Sequence, residues 1–563
     1  MCKVATTIFV LIFSGLGALT ATAAPRPADQ ARTMSDVIDR VITNENRASQ
    51  QIRQYSPLVE TYIQNLKPDK DLGYIPAGDK YFLGRADFSK GVSLVSLTDT
   101  NGKGKKLFGS IGNFFSFALQ FVPDGFLQMI FIDTNGFDKQ HYKFDYVRRE
   151  FLGEVRCLVF DVTPQEKSGK GRFLGRIWVE DQDYNIVRFN GAYSGSGHTS
   201  WWFHFDSWRT NVQPGVWVPS FVYSEEKDVH YNLSRKLDFK AQTRLWGYNL
   251  GHAAQEQELS KILVETPVQD DTKTANDLTP VQAQRSWDRQ AEDNVIDRLE
   301  RIGLIAPKGE VDKALETIVN NLEVTNNIDI EPDVRCRVMT TTTLESYTVG
   351  HTVVLSRGLI DVLPDEASLA TIVAHELSHA ILGHRLDSSL AFFDQLLIED
   401  KETFRHFGFA RTPDEEKAAN AKAIQILNNS PYKNQLGNAG LFLTALATRE
   451  KEIPNLISPH LGDRVPVIGD LRSSMPVDQK QNPQMIAALP IGGRVKLDPW
   501  NDKLELIKSK PVGAVAEREK MPFEVTPFMP YLMRYGAEAA KPIAASAAQP
   551  SNPRTGESAP GKP

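Results

Sequence analysis

The chain is short of cysteine, with three in 563 residues at Cys2, Cys157 and Cys336. That excludes a disulfide framework and any cysteine-based metal spacing, so the fold must rest on its core even in an oxidising compartment. Positive charge is not in excess either. There are 64 Lys and Arg against 70 Asp and Glu, a formal net charge of -6. No polybasic stretch is present, which argues against nucleic acid or anionic lipid as partners. Long apolar runs are missing beyond the first residues. The best later stretch, Ile111 to Ile132, is interrupted by Pro123-Asp124-Gly125 and reads as two shorter buried elements. No integral membrane span is therefore expected in the mature chain. What is present is ordinary for globular domains: 41% hydrophobic and 24% charged residues, in a length that suits about two to four domains.

The first residues read as an export signal. Lys3 supplies the positive end, Val4 to Leu19 an apolar run broken by Gly15 and Gly17, and Ala21-Thr22-Ala23 a small-x-small cleavage pattern. Residues 1–23 are expected to be a signal peptide, and the mature protein to be exported, periplasmic or secreted. The alternative is an uncleaved anchor, although the run is short for a span and Pro25, Arg26 and Pro27 follow it.

Val37, Ile38, Val41 and Ile42, then Ile52, Leu58 and Tyr62, recur at helical spacing and predict helix from 35 to about 67. From Tyr81 to about Leu250 the pattern changes to strands. Tyr142 to Arg148 and Val155 to Val162 are two of them. Arg172 to Glu180 and Ile186 to Tyr193 form a hairpin about the turn Asp181 to Asn185. Trp201, Trp202, Phe203, Phe205 and Trp208 continue the aromatic strand content, and Val216 to Tyr223 and Leu237 to Leu245 add more. Short strands with polar turns imply an antiparallel, half-barrel-like sheet over residues 35–250. Its strand order and the run RFLGRIWVEDQDYNIVRFNG resemble the open β-barrel domains of bacterial lipoprotein carriers of the LolA type. The resemblance implies an apolar ligand in this domain. The plainer reading is a sheet domain without one, since most strand aromatics are simply core.

Residues 251–285, rich in Gln, Asp, Thr and Ala, read as a linker. An amphipathic helix from Trp287 to Ile302 ends at Gly303, and Val311 to Leu322 is another. Arg335 to Thr340 and His351 to Ser356 are short strand candidates, and helices dominate from Asp365 to about Arg449. Residues 286–470 thus read as one mainly helical domain. Residues 471–536 form a proline-rich extension, and 537–563, dominated by Ala, Pro, Ser and Gly, a disordered tail.

The densest chemistry lies in PDEASLATIVAHELSHAILGH, residues 364–384. Pro364, Asp365 and Glu366 make a helix start, and Leu369, Ile372, Val373, Leu377, Ala380 and Ile381 are apolar at helical spacing. His375 and His379, four apart, project from one face and can share one tetrahedral metal ion. Glu376 is rotated off that axis, so it can address a water that zinc acidifies and act as its general base. His384, nine residues after His375, points to the far side of the helix and reads as structural.

A zinc site of this class needs a third protein ligand. Glu416 in EKAANAKAIQIL shares a helix face with Ala419, Ala423 and Leu427, which turns its carboxylate inward among small residues. Glu399, in the run IEDKET, stands at the thermolysin-like spacing and stays open as the competitor. Glu416 is the preferred ligand.

The set HELSH, EKAAN and SPHLGDRV, within about residues 310–470, resembles the gluzincin peptidases that include CAAX prenyl endopeptidases, HtpX-type proteases and soluble periplasmic BepA-like proteases. The resemblance implies an active-site helix preceded by an edge strand, with Glu416 as third ligand. It also implies that His460 and Arg464 stand near the catalytic water and the substrate carbonyl. From its sequence position His460 reads equally well as an ordinary loop histidine. Two positions depart from the family. Asn420 stands where the family has an Asp, and Glu345-Ser346 where it has an Asn-Ala pair on the substrate edge.

The expectation is an α+β multidomain chain: an antiparallel β-rich domain followed by a mainly helical zincin metallopeptidase domain. It would hydrolyse peptide bonds as an endopeptidase with one zinc ion per chain, held by His375, His379 and Glu416. Glu376 would be the base and His460 an oxyanion stabiliser or a cap on the resting metal. The substrate would be a protein or peptide, envelope proteins among them, added as a strand near Val353 to Ser356. The alternative is a carrier or chaperone for lipid or envelope proteins whose zinc site is structural or latent.

Overall fold

The computed structural model describes residues 33–70, 73–88, 91–97, 123–134, 136–194, 203–232, 235–248, 280–384, 408–457, 461, 463–464, 495–497, 503–506, 523, 525, 527 and 529–536. The expected export signal, most of the expected linker, Trp201, Trp202, Glu399, His460 and the tail lie outside the described residues, as does the side chain of Arg464.

Helix α1 (Met34–Ile52) opens on a capping box. Thr33 accepts the N–H of Asp36, and the Asp36 carboxylate accepts that of Thr33. The helix stops at Ile52 and does not run on to 67. After Pro57 the chain is strand β1 (Leu58–Asp69). Leu58, Val59, Tyr62 and Ile63 are all buried because both faces of β1 are covered. A strand buried on both faces loses its period-two alternation, and its apolar residues then match helical spacing by accident.

Nine more strands follow: β2 (Gly73–Asp87), β3 (Ser93–Ser96), β4 (Tyr142–Leu152), β5 (Val155–Pro164), β6 (Phe173–Glu180), β7 (Ile186–Tyr193), β8 (Phe205–Gln213), β9 (Val216–Asn232) and β10 (Arg235–Trp246). With β1 they make one open antiparallel sheet in the order β3-β2-β1-β10-β9-β8-β7-β6-β5-β4. It is not a closed barrel. On one face Val37, Val41 and Ile52 of α1, together with Phe126, Leu127 and Phe131 from the short helix α2 (Pro123–Gln128) and the turn after it, cover Phe160, Phe173, Phe189 and Phe205. Phe189 packs edge-on against Phe173 and Phe205, at 5.7 and 5.8 Å between ring centres. A buried ion pair pins α1 to the sheet, with Arg209 donating to both Glu45 oxygens at 2.6 and 2.7 Å.

The other face carries Tyr62, Trp178, Trp208 and Trp246, in one core with the second half of the chain. That half opens on α3 (Pro280–Ile302), stopped by Gly303 at φ 89, and α4 (Glu310–Asn326). A four-stranded sheet follows from β11 (Arg335–Met339), β12 (Glu345–Val349), β13 (Thr352–Ser356) and β14 (Asp463–Arg464). Its order is β11-β13-β12-β14. Between β13 and β14 come α5 (Arg357–Val362), α6 (Glu366–Leu382), α7 (Pro413–Asn428), α8 (Leu436–Arg449) and α9 (Pro454–Ile457). Helices α4, α7 and α8 all pack on α6. No described helix is long and apolar enough to cross a membrane.

The two halves meet at a polar bolt. Glu60 of β1, 1% exposed, accepts the backbone N–H and hydroxyl of Thr342, each at 2.6 Å. It also accepts the Tyr81 hydroxyl at 2.8 Å and Arg244 at 2.9 Å. Thr342 lies in the loop that leads into β12, so the large sheet fixes the approach to the strand beside the site.

Candidate metal centre

Helix α6 begins at Asp365, whose carboxylate accepts the Ser368 N–H at 2.8 Å, and ends at Gly383 in the left-handed conformation (φ 66). From Ala367 to His379 it is buried at every position except Leu369. His375 and His379 lie one turn apart with their rings edge-on, and their Nε2 atoms stand 3.2 Å from each other. Helix α7 supplies the third group. Pro413 and the Thr412–Glu415 capping box start it, and Ala419 and Ala423, both 0% exposed, let it lie close on α6. Glu416 then reaches the pair, with Oε2 3.3 Å from His375 Nε2 and Oε1 3.7 Å from His379 Nε2. The three side chains each offer one ligand atom within 4.8 Å of the others, and all are buried.

These residues fit a metal ion. Bonds of about 2.0–2.1 Å in a tetrahedral site put neighbouring ligand atoms ~3.3 Å apart, and two of the three observed separations are 3.2 and 3.3 Å. Neither Glu416 oxygen has a hydrogen-bond partner among the described residues. A buried carboxylate without a donor is costly unless a cation faces it. Burial, aided by the charges of His375, Arg411 and His384, pushes the His379 pKa down to about 2, so its ring stays neutral and keeps a lone pair to give.

Glu376, 0% exposed, faces β12 instead. Its Oε1 accepts the Ser346 hydroxyl at 2.6 Å and its Oε2 the Thr348 hydroxyl at 2.7 Å. Burial pushes its pKa up, while His375 and the two hydroxyls pull the other way; the net direction is up. A carboxylate so placed is a better proton acceptor than an exposed one.

The structure thus brings together His375, His379 and Glu416, with Glu376 alongside. It corrects two expectations. Val353 to Ser356 is not an edge, because β13 pairs with β11 on one side and β12 on the other. The strand at the site is β12, whose Glu345 and Ser346 pair with Arg464 and Asp463 and whose Thr348 carbonyl accepts Arg411 at 2.8 Å. Nor does His384 point away from the site, since its Nδ1 stands 2.8 Å from His379 Nδ1. Sequence reasoning missed Ser346 and Thr348 as holders of Glu376, although hydroxyls two apart on a strand share a face. It also missed Glu345, whose carboxylate accepts the Leu461 N–H at 3.1 Å beside the segment of His460.

Two buried imidazoles, a carboxylate facing both and a second carboxylate beside them define a metal-dependent hydrolase site. Residues 310–432 match the model of Peptidase family M48, which supports a gluzincin-type, metal-dependent peptidase domain in this region. The chain is also similar to the crystal structure of a DUF1329 family protein from Desulfovibrio piger, at 12% identity and a TM-score of 0.19, over 38% of this chain and 94% of that one. No curated protein matches the chain.

Proposed function

We propose that this protein is a zinc-dependent endopeptidase of the cell envelope or exterior. One zinc ion is held by His375, His379 and Glu416, and proteins or peptides are the substrate. The observation that carries the reading is the buried His375–His379–Glu416 triangle with Glu376 one residue from its first corner. Zinc suits two imidazoles and one carboxylate better than calcium or magnesium, which prefer all-oxygen sites. The apolar run before Ala21-Thr22-Ala23 supports export.

A bound ion would acidify a water and polarise the scissile carbonyl. Glu376 would take a proton from the attacking water as the water oxygen adds to the carbonyl carbon. Ser346 and Thr348 hold both Glu376 oxygens in place for this step. The same carboxyl then gives the proton to the leaving amine as the C–N bond breaks. His460 is the proposed donor to the oxyanion. The substrate strand lies against β12, where displacing Arg411 from the Thr348 carbonyl frees one acceptor.

The test is Glu376→Gln. The purified variant is expected to bind zinc as the parent does and to cleave casein at least about 1000-fold more slowly. Chelator should silence the parent and zinc restore it. Cleavage by the variant at the parental rate overturns the assignment.

A further inference from the structure

His384 sits one residue beyond the end of the metal helix. Gly383 turns the chain back there, and the His384 N–H bonds to the His379 carbonyl at 3.1 Å. The turn returns the His384 ring to the site, with its centre 5.0 Å from that of His379 and the two Nδ1 atoms 2.8 Å apart. A helical wheel misses this contact because the wheel ends at Gly383.

An imidazole that gives its Nε2 lone pair to a cation must carry its proton on Nδ1, and that N–H needs an acceptor when buried. His379 is 0% exposed, its Nε2 faces His375 and Glu416, and its Nδ1 faces His384. The position that resembles the family's acidic one is Asn420, which is buried and whose Oδ1 has no hydrogen-bond partner among the described residues. It therefore accepts nothing from His379.

We propose that His384 is a positioning residue of the metal centre: its Nδ1 accepts the Nδ1–H of His379 and fixes the tautomer that presents Nε2 to the ion. The His384 proton then resides on its own Nε2. The inference rests on the metal reading above and adds to it the group that selects the ligand's tautomer.

The test compares three variants of the full chain by competition for zinc with a chromophoric chelator and by the visible spectrum of the cobalt form. Asn carries an oxygen where His carries Nδ1, so His384→Asn keeps an acceptor at the right atom. His384→Gln moves it outward and His384→Leu removes it. Zinc affinity should fall about 10- to 100-fold in the Gln and Leu variants, as for other lost outer partners, and stay within about threefold in the Asn variant. Asn and Gln differ by one methylene, so that pair decides the matter even if the Leu variant folds poorly. Parental affinity in the Gln variant, or equal loss in Asn and Gln, overturns the proposal, as does a parent that binds no zinc. A parent that binds zinc but cleaves no protein overturns the peptidase reading alone and leaves the role of His384 standing.

Discussion

Glu416 is the residue on which the site turns. Its carboxylate is buried, lacks a hydrogen-bond donor among the described residues, and faces two imidazole nitrogens. Replacing it with Gln should lower zinc affinity more than about 100-fold, beyond the loss for an outer partner, while Glu399→Gln leaves bound zinc near one per chain. Metal analysis of the two purified variants checks both statements, and loss in the Glu399 variant alone reverses the choice of ligand. At this scale the sequence was informative where chemistry is set by spacing within one element. His375, Glu376 and His379 lie within one turn of helix, so their relative directions follow from 3.6 residues per turn. Glu416 was legible through its small neighbours. His384 was not, because its direction depends on a left-handed Gly383 that a straight helix does not contain.

At the scale of elements, the chain's late segment works as a strap on the first sheet. Glu180, 0% exposed at the end of β6, accepts the N–H groups of Gln182, Asp183 and Asn185 and the guanidinium of Arg534 at 2.7 Å. The Tyr535 N–H adds a bond to Asn211, and the Leu532 carbonyl accepts that of Glu154. Burial by itself pushes the Glu180 carboxyl up, but those N–H groups and Arg534 outweigh it and hold its pKa below the ordinary value. A carboxylate depressed in the folded state adds stability that is fully present above its unfolded pKa of about 4.3 and is lost as pH falls through the lower folded value. Acid is therefore expected to release residues 529–536 only below that range. Arg534→Ala should move the release up toward pH ~4.3, as read by hydrogen exchange of the strap across a pH series. Release at the same pH in both proteins would count against the pairing. Element boundaries were legible where turns are polar and one face is dry. The β6–β7 hairpin is legible in its sequence almost to the residue, whereas β1 matches helical spacing because the second half of the chain and α1 cover opposite faces of it. Gln64 of β1, for instance, bonds the Phe523 carbonyl and the Val525 N–H.

For the whole molecule, the Glu60 bolt ties the two halves together through buried hydrogen bonds. Glu60 and Arg244 leave the first sheet to hold Thr342, and two residues beyond Leu344 the same chain supplies Ser346 to Glu376. Asp79 of β2 reinforces the join by accepting the N–H groups of Asn455 and Leu456 at the start of α9. Replacing Glu60 with Ala strands Arg244 in the interface and should cost about 3–5 kcal/mol, as breaking buried pairs does. Urea unfolding followed by tryptophan fluorescence and by loss of bound zinc would measure it. Coincident shifts of both signals are expected, and a shift in fluorescence with an unmoved zinc signal would show the halves to be independent. The sequence by itself determined the local parts: the helix with His375, Glu376 and His379, the antiparallel hairpins, and the small-residue face that carries Glu416. Those follow from period, capping and turn chemistry, which act over a few residues. Only the tertiary structure decided which strand stands at the metal, which hydroxyls hold Glu376 and which ring faces His379. Those contacts join residues that are distant in the chain or separated by a backbone reversal, and no local periodicity encodes them.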